Sequence, residues 1–455
     1  MVMMMDRRPN ILFYFTDQQR WDTAGCYGQP LPITPNLDEL AGEGVVFEEA
    51  YTPQPVCGPC RAIFQTGLYP TETGCFKNGI SLPEDTKTVA DYMYEAGYDC
   101  AYIGKWHLAS DDTESIKPEA DYATCAIPPE KRGGYKGFWR ASDILEFTSH
   151  GYDGYVYDEN MKKCEFKGYR VDRITDYALE YLENCNGKQP FFMTISHIEP
   201  HHQNDRKHYE GPEGSKERFE DFVLPGDLEA LGGNAREEYP DYLGCCKSLD
   251  DNLGRIVEKL KEKGLYENTV IVYASDHGSH FQTRNKDSHL NGGDDYKRSC
   301  HSASLHVPLI IAGPGFRGGR RIGELVSTVS LPKTFLAMAG IHTGNAMAGE
   351  NLHEVSEGDI KDRENVIFAQ ISESRVGRCI RTKDYLFSVY APDKNGFAHA
   401  GSDGYAPDFL YDLKNDPYEL HNVVDDEAHK EIREDMERLL IAEMKKAGEK
   451  EPVIK

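Results

Sequence analysis

Two cysteines, Cys57 and Cys60, stand three residues apart in the stretch "PVCGPCRAIFQTG". Such a C-x-x-C pair at a helix start can act as a redox dithiol, because one thiol pKa is lowered and the two sulfurs lie within bonding reach. A thioredoxin-like dithiol precedes a long helix, however, whereas Gly67 and Pro70 should end any helix here after roughly two turns. The motif alone leaves three interpretations open: a redox dithiol, a turn with two buried cysteines, or a single reactive Cys57.

Polar side chains follow two of the apolar runs in the same way. Asp17 and Gln18 come directly after one run in "FYFTDQQR", and Asp276 and His277 come directly after another in "VYASDHGSH". Since parallel strands end at the same edge of a sheet, these side chains can converge there. Oxygen ligands with one nitrogen suit Ca²⁺, Mg²⁺ or Mn²⁺. A single Asp after a strand is commonly a helix N-cap, but the repetition of the pattern favours a metal site.

Basic residues occur close to the ends of further apolar runs. They are Lys105 and His107 in "GKWHLAS", His201 and His202 in "SHIEPHHQND", and Lys297 in "YKRSC". One such residue would usually be a surface group or a satisfied core group. Several of them beside a metal indicate a pocket for a tetrahedral oxyanion, in which fixed cations stabilise charge that develops in a transition state.

The elements that must position these groups can be read from hydrophobic periodicity. Short apolar runs at 10–16, 100–104, 190–196, 269–275 and 307–313 suit strands buried on both faces. The segments 87–97, 169–185 and 243–264 carry apolar residues three and four apart, which predicts amphipathic helices. Alternating strands and helices predict a large α/β domain over residues 1–355 with a mixed, mostly parallel sheet between helices.

From residue 356 the pattern changes to shorter runs separated by turns, with a charged helical stretch near 426–447. This predicts a C-terminal subdomain, residues 356–455, made of a small antiparallel sheet and one helix. The segment 130–170 is rich in Tyr and Gly and has no strong period, so we interpret it as an active-site loop, with a surface insertion as the alternative. Its aromatic residues either line a substrate pocket or serve packing: Trp139, Tyr152, Tyr155 and Tyr157.

Composition limits the partners of the chain. The 455 residues include 51 Lys and Arg against 76 Asp and Glu, a net charge of −25, which argues against binding to nucleic acid or to an acidic membrane surface. No run reaches membrane-spanning length and no signal sequence is visible at the start. Twelve cysteines scattered mostly singly are typical of a reducing compartment, so we expect a cytoplasmic protein.

In this order the motifs resemble those of the type I sulfatases of the alkaline phosphatase superfamily. "TPNLDELAGEGVVFEEAY" followed by "CGPCRAIFQTG" is similar to the family's C-x-P-[S/C]-R region, and "GKWHL", "SDHG", the Lys of "YKR" and "LYDLKNDPYELHNV" follow in family order. The resemblance covers nearly the whole chain. It implies an alkaline phosphatase-like fold, hydrolysis of sulfate monoesters, and conversion of Cys57 to formylglycine, whose hydrate is the nucleophile.

The resemblance also implies residue roles. The metal, most simply Ca²⁺ with Mn²⁺ or Mg²⁺ as alternatives, would be held by Asp17, Gln18, modified Cys57, Asp276 and His277. Asp276 would also take the proton of the nucleophile, and Arg61 and Lys105 would stabilise the hydrate. His107 would deprotonate the second hydroxyl during sulfate elimination. Lys297 and His201 would hold the sulfate and assist the leaving oxygen, with His202 as an adjacent alternative to His201.

Two departures from the family pattern keep alternatives open. Gln18 stands where many sulfatases have a second Asp, and a Gln also occurs there in related phosphonate and phosphodiester hydrolases that use formylglycine. Cys60 replaces the serine that the aerobic formylglycine-generating enzyme favours, so maturation would depend on an anaerobic radical enzyme instead, and a Cys57–Cys60 disulfide would block it. A phosphonate monoester or phosphodiester hydrolase is the nearest alternative, and a thiol redox protein is a remote one.

Overall fold

The computed structural model describes residues 8–111, 122–286, 295–360 and 363–455. Ten strands form the large sheet: β1 (Asn10–Thr16), β2 (Val45–Tyr51), β3 (Asp99–Lys105), β4 (Trp139–Ser142), β5 (Asp153–Asp158), β6 (Lys163–Lys167), β7 (Phe191–Ser196), β8 (Thr269–Ser275), β9 (Leu309–Ala312) and β10 (Arg320–Ser327). Their order in the sheet is β10-β2-β9-β8-β1-β7-β3-β4-β5-β6. The central strands β8, β1, β7, β3 and β4 are parallel, so their carboxyl ends share one edge.

Helices cover both faces of this sheet. The helices of the described ranges, the last of which packs on the second sheet described below, are α1 (Pro35–Glu43), α2 (Cys57–Thr66), α3 (Pro70–Thr73), α4 (Val89–Glu95), α5 (Leu145–Thr148), α6 (Arg170–Asn184), α7 (Ser215–Arg218), α8 (Gly226–Leu231), α9 (Ala235–Glu262), α10 (Ser302–Leu305), α11 (Ser330–Met338), α12 (Leu352–Glu357) and α13 (Lys430–Lys446). Alternate residues of β1 pack into different cores: Phe13 joins the core under α2, α4 and α11, and Tyr14 joins the core under α1, α6 and α9. This alternation is what a strand between two helical layers requires.

The second sheet lies in the C-terminal part of the chain. Its strands, in sheet order, are β11 (Ile367–Ile371), β12 (Gly377–Arg381), β13 (Tyr385–Tyr390), β14 (Gly404–Asp412) and β15 (Val453–Ile454). All neighbours are antiparallel except β14 and β15, and α13 packs on the sheet through Met436, Leu440 and Met444. The predicted fold class is therefore confirmed, while the division at residues 355 and 356 stays a prediction.

Three elements differ from the sequence-based expectation. The strand predicted at 307–313 exists as β9, but it runs antiparallel to both of its neighbours, β2 and β8. The segment 130–170 is not a loop: it forms β4, the hairpin β5–β6 and the short helix α5. The long helix α9 begins eight residues before the predicted start and contains Pro240. None of the helices in the described ranges is long and apolar enough to cross a bilayer.

Candidate active site

The carboxyl edge of the parallel strands brings the predicted metal ligands together. Asp17 follows β1 and Asp276 follows β8, and these strands are paired in register so that Thr16 lies opposite Ser275. The ligand atoms of Asp17, Cys57, Asp276 and His277 all lie within 4.8 Å of one another, and all four residues are buried. His277 Nε2 lies 3.5 Å from Asp17 Oδ1 and 3.6 Å from Asp276 Oδ1. The convergence expected from the two strand-end motifs is thus present.

Gln18 lies beside this cluster and is held by hydrogen bonds. Its backbone N–H donates to Asp276 Oδ1 at 3.0 Å, and its Nε2 donates to the Tyr209 hydroxyl at 2.9 Å and to Ser279 Oγ at 3.3 Å. The residue has a φ of 72°, in the left-handed region that non-glycine residues seldom adopt. With the amide nitrogen engaged by two hydroxyls, the amide oxygen is the atom left to face a cation.

Cys57 is the first residue of α2, which places its sulfur at the positive end of a helix. The Sγ atom lies 3.3 Å from Asp17 Oδ1, 3.3 Å from His277 Nε2 and 2.9 Å from Lys297 Nζ. The Gly58 N–H at the same helix start donates to Asn78 Oδ1 at 2.8 Å. The helix ends at Gly67, whose φ of 68° closes it after ten residues, close to the end predicted from the sequence.

Cys60 is directed away from Cys57. Its Sγ donates to the Asp276 carbonyl oxygen at 3.1 Å and lies 3.4 Å from Thr52 Oγ1. Both cysteines are buried and neither is in a disulfide. Burial raises the pKa of the Cys60 thiol well above its usual value, and the Asp276 carboxylate raises it further. Exchange with an external dithiol requires an accessible sulfur, so this geometry argues against the redox interpretation.

Two buried cations, Arg61 and Lys105, converge on Asp17. Arg61 Nη2 lies 3.0 Å from Asp17 Oδ2, and its Nη1 donates to the Lys105 carbonyl oxygen. Lys105 Nζ, at the end of β3, lies 2.9 Å from the same Asp17 oxygen. The Arg61 guanidinium also stacks on the Phe15 ring, with its carbon 4.8 Å from the ring centroid. One carboxylate of the candidate metal site thus has two fixed positive partners.

His107 lies close to these groups with its imidazole free. Its backbone has a φ of 58° and its N–H donates to the Asp143 carbonyl oxygen. The Nδ1 atom is buried and makes no hydrogen bond with the described residues. Burial lowers the pKa of His107 to about 4, and the positive charge of Lys105 contributes in the same direction. The imidazole is therefore uncharged at neutral pH and able to accept a proton.

His201 and His202 occupy different environments. His201 Nε2 lies 2.9 Å from Lys297 Nζ, so this imidazole faces the Cys57 cluster. His202 stacks on Tyr296 with 4.4 Å between ring centroids, and its Nδ1 lies 3.3 Å from Asn204 Oδ1. Of the two adjacent candidates, the geometry puts His201 at the site.

The electrostatics of the cluster favour the binding of a further positive charge. Burial, and then the neighbouring Asp17 carboxylate, raise the pKa of Asp276 to about 7. The Asp276 Oδ2 atom accepts no hydrogen bond from the described residues. That oxygen has Arg61 Nη2 at 3.8 Å as its charged neighbour. Two adjacent buried carboxylates, an imidazole and a thiol form a donor set that suits a divalent cation.

Glu146 is a member of the site that the sequence motifs did not reveal. It lies in α5, and its Oε2 is 3.1 Å from Lys105 Nζ. Burial raises the pKa of this carboxyl, but Lys105, then His201 and His107, lower it more, so the pKa falls well below its usual value. The only signal in the sequence was its place in the aperiodic segment 130–170.

The aromatic residues of that segment differ in burial. Trp139 is fully buried and stacks on Tyr102 with 5.3 Å between ring centroids. The Tyr155 and Tyr157 hydroxyls both donate to the Thr124 carbonyl oxygen, and Tyr152 packs against Tyr169. The contacts therefore favour packing for Trp139, whereas Tyr152 is exposed and Tyr155 and Tyr157 are half-buried, so both interpretations stay open for the three tyrosines.

Comparisons with known proteins agree with this site. The family model described as Sulfatase matches residues 9–341, and the model described as N-sulphoglucosamine sulphohydrolase, C-terminal, matches residues 294–446. The chain is 30% identical to an uncharacterized sulfatase YidJ of Escherichia coli over 97% of this chain and 88% of that protein. It is 28% identical to an ulvan-active sulfatase of Formosa agariphila, over 97% and 82% of the two chains.

Solved structures share the fold. A structure from work on the metabolism of multiple glycosaminoglycans by Bacteroides thetaiotaomicron aligns with a TM-score of 0.80 at 23% identity, over 97% of both chains. The phosphonate monoester hydrolase of Agrobacterium radiobacter aligns with a TM-score of 0.67 at 20% identity, over 97% of this chain and 96% of that one. Because the family model covers most of the chain, the chain belongs to the sulfatase family of the alkaline phosphatase superfamily and is a sulfuric ester hydrolase.

Proposed function

We propose that this enzyme hydrolyses sulfate monoesters to alcohol and sulfate through formylglycine formed from Cys57 and with the help of a divalent cation. The observation that carries this proposal is the position of Cys57 Sγ, 3.3 Å from Asp17 Oδ1 and 2.9 Å from Lys297 Nζ. A side chain at this position lies between a candidate metal site and a cation that can bind the sulfate. It also lies at a helix N-terminus, which favours negative charge.

The donor set supports a hard divalent cation, for which Ca²⁺ is our first expectation and Mn²⁺ or Mg²⁺ the alternatives. The residues that would hold it are Asp17, Gln18, modified Cys57, Asp276 and His277. When bound, the cation orients the nucleophile and neutralises negative charge that develops on it. Gln18 contributes no charge, so this site carries one negative charge fewer than a site with Asp at that position.

Formylglycine would supply an aldehyde hydrate: one hydroxyl would attack sulfur and displace the alcohol as its S–O bond breaks. The second hydroxyl would then give up its proton so that the C–O bond to sulfate breaks, sulfate leaves and the aldehyde is restored, ready to be hydrated again by water. We assign proton transfer from the attacking hydroxyl to Asp276, and proton transfer from the second hydroxyl to His107. Arg61 and Lys105 stabilise the hydrate from the Asp17 side. Two features support these assignments: the buried positions of both cations and the uncharged imidazole of His107.

Lys297 and His201 bind the sulfate and assist the leaving oxygen. Their 2.9 Å contact places an ammonium and an imidazole side by side at the Cys57 sulfur. Burial and the positive charge of Lys297 lower the pKa of His201, so its imidazole is uncharged at neutral pH and its Nε2 accepts a hydrogen bond from the Lys297 ammonium. The proton for the departing oxygen would therefore come from Lys297, with His201 holding that ammonium in place, and the pair together is our candidate for assisting the leaving oxygen.

The alcohol part of the substrate is proposed to be a carbohydrate. Relatives named for carbohydrate sulfates support this: an ulvan-active sulfatase of Formosa agariphila and an N-acetylglucosamine-6-O-sulfatase of Bacteroides thetaiotaomicron, which is 25% identical over 98% of this chain. A phosphonate monoester or phosphodiester hydrolase is the second candidate. Gln18 and the fold shared with the phosphonate monoester hydrolase favour it.

The cysteines bear on two points: the compartment in which the enzyme works and the way in which it is matured. All twelve cysteines are unpaired, which supports a reducing, cytoplasmic setting. We propose that a formylglycine-generating enzyme or an anaerobic sulfatase-maturating enzyme converts Cys57. Since Cys60 occupies the position where serine is usual, co-expression with each of the two enzymes should give different extents of conversion, measured by peptide mass.

Parallel kinetics on an aryl sulfate and an aryl phosphodiester test the proposed function. We expect kcat/KM for the sulfate to exceed that for the diester in converted protein, and Cys57→Ala to abolish both activities. A higher kcat/KM for the diester would favour the second candidate. Reduction of insulin with dithiol turnover, in the absence of ester hydrolysis, would instead favour a redox function.

A further inference from the structure

Glu146 places a carboxylate within a site that otherwise collects positive charge. Its Oε2 lies 3.1 Å from Lys105 Nζ, and its backbone carbonyl accepts a hydrogen bond from Gln203 Nε2 at 3.2 Å. The second contact ties α5 to the loop that carries His201. Glu146 is thus held at the junction of the Lys105 and His201 walls of the site.

The Glu146 carboxylate has fewer partners than a buried anion needs. The Oε2 atom is inaccessible to solvent, and no residue in the described ranges donates a hydrogen bond to it. Its ion pair with Lys105 is shared, because the same ammonium lies 2.9 Å from Asp17 Oδ2. An ionised carboxylate offers about four acceptor positions, and buried polar groups are nearly always hydrogen-bonded. Since Oε2 is enclosed beside Lys105, the oxygen that can accept a hydrogen bond from an incoming donor is Oε1, which is not among the enclosed atoms and accepts no hydrogen bond from the described residues.

Residual exposure shows which side chains border the entrance of the site. Lys105 is fully buried, whereas Glu146 and His107 are each 8% exposed, His201 is 7% exposed and Lys297 is 5% exposed. A substrate that enters the site consequently meets the Glu146 carboxylate together with these three basic side chains.

Charge decides which part of the substrate each group can contact. A sulfate ester carries only acceptor oxygens and a negative charge, so it is attracted by Lys297 and repelled by Glu146. Glu146 can instead accept a hydrogen bond from the alcohol part. We propose that Glu146 accepts a hydrogen bond from a hydroxyl on the carbon adjacent to the sulfated carbon, and so selects vicinal hydroxy sulfate esters. This inference rests on the proposed sulfate ester hydrolysis and narrows its substrate class.

Two matched esters test the inference: cyclohexyl sulfate and trans-2-hydroxycyclohexyl sulfate, which differ in one hydroxyl. A hydrogen bond to a charged acceptor contributes enough to change kcat/KM by roughly tenfold or more. We expect the wild-type enzyme to prefer the hydroxy ester by about tenfold or more, measured as released sulfate. The preference should shrink in Glu146→Gln, which keeps a neutral acceptor, and disappear in Glu146→Leu.

The ratio of the two rates is measured on one preparation, so incomplete conversion of Cys57 or partial misfolding cancels from it. Glu159→Gln is the matched control, since Glu159 belongs to the same segment and pairs with Arg140, but it is 40% exposed and outside the site. This variant should keep the wild-type ratio. Sulfate release from either ester by the wild-type enzyme tests the proposed function separately.

Three outcomes would overturn the inference while leaving the proposed function in place. One is equal rates for the two esters in the wild-type enzyme. Another is a preference for the hydroxy ester that survives in Glu146→Leu. Any loss of rate in that variant would then be the same for both esters, as a purely structural role would give. The third is a larger gain for trans-2-ammoniocyclohexyl sulfate than for the hydroxy ester, which would identify a pocket for cations.

Discussion

Lys105 bridges two carboxylates, Asp17 at 2.9 Å and Glu146 at 3.1 Å, and its removal has a cost that can be worked from these contacts. In Lys105→Met, Asp17 keeps Arg61 at 3.0 Å, whereas Glu146 loses the ion-pair partner that it has in the described structure. At an effective dielectric constant of about 20, the lost attraction at 3.1 Å is about 5 kcal/mol. Leaving a buried charge uncompensated costs about 3–5 kcal/mol in measured cases, so we expect a loss of that order.

A second substitution separates this electrostatic cost from a loss of packing. Glu146→Gln alone should cost about 1–2 kcal/mol, because Lys105 keeps Asp17 as its partner. The double variant Lys105→Met/Glu146→Gln no longer contains an unpaired charge at residue 146. It should therefore be at least about 2 kcal/mol more stable than the sum of the single changes predicts, which is the range seen for residues in contact.

Urea unfolding at equilibrium measures these free energies. EDTA is added throughout, because a cation that binds only the native state would add its own contribution to stability. The exposed pair of Lys87 and Glu95, whose Nζ–Oε2 distance is 2.7 Å, is the matched control. Its double-variant cycle should show a coupling below about 1 kcal/mol. Additive costs at Lys105 and Glu146, or equal coupling in both pairs, would refute the bridging role of Lys105.

Three further predictions concern the metal and the histidine. Asp17→Asn and Asp276→Asn should each lower turnover by about a hundredfold or more, because the cation loses a charged ligand. Metal content is measured by mass spectrometry on the same samples. Unchanged turnover in both variants and in EDTA would contradict the metal site. His107→Ala should release about one equivalent of phenol from a reactive aryl sulfate and then stall, whereas steady turnover would remove His107 from the second half of the cycle. Burial and then Lys105 lower the pKa of His107 to about 4, so loss of the Lys105 charge in Lys105→Met should raise that pKa. In the profile of kcat against pH, the fall of kcat on the acid side should then move to higher pH. If it does not move, another group titrates there.

The parts of the site that lie at strand ends could be predicted from the sequence. The strands β1 and β8 are buried along their whole length and run parallel, so the side chains that follow them, Asp17 and Asp276, must meet at one edge of the sheet. Strand direction is a different matter: β9 is as apolar as its neighbours but antiparallel, because a buried run carries no information about its orientation.

Glu146 could not be predicted, for a physical reason. It lies in a helix of four residues, too short to show periodicity, and its partner Lys105 is 41 residues away in the sequence. Similarly, the early start of α9 was missed because Pro240, the sixth residue of the helix, interrupts the pattern; a proline there removes one backbone hydrogen bond, yet the helix continues through it. The choice between His201 and His202 needed the contact with Lys297, which sequence spacing does not reveal.

The dependence of turnover on the chemical state of residue 57 tests the central claim most directly. Wild-type protein is produced with and without a maturating enzyme, the fraction of Cys57 converted to formylglycine is measured by peptide mass, and sulfate release is measured on the same samples. The account predicts that turnover rises in proportion to the converted fraction and is absent from Cys57→Ala. Equal turnover in converted and unconverted protein would contradict it, because the ester would then be cleaved without the proposed nucleophile.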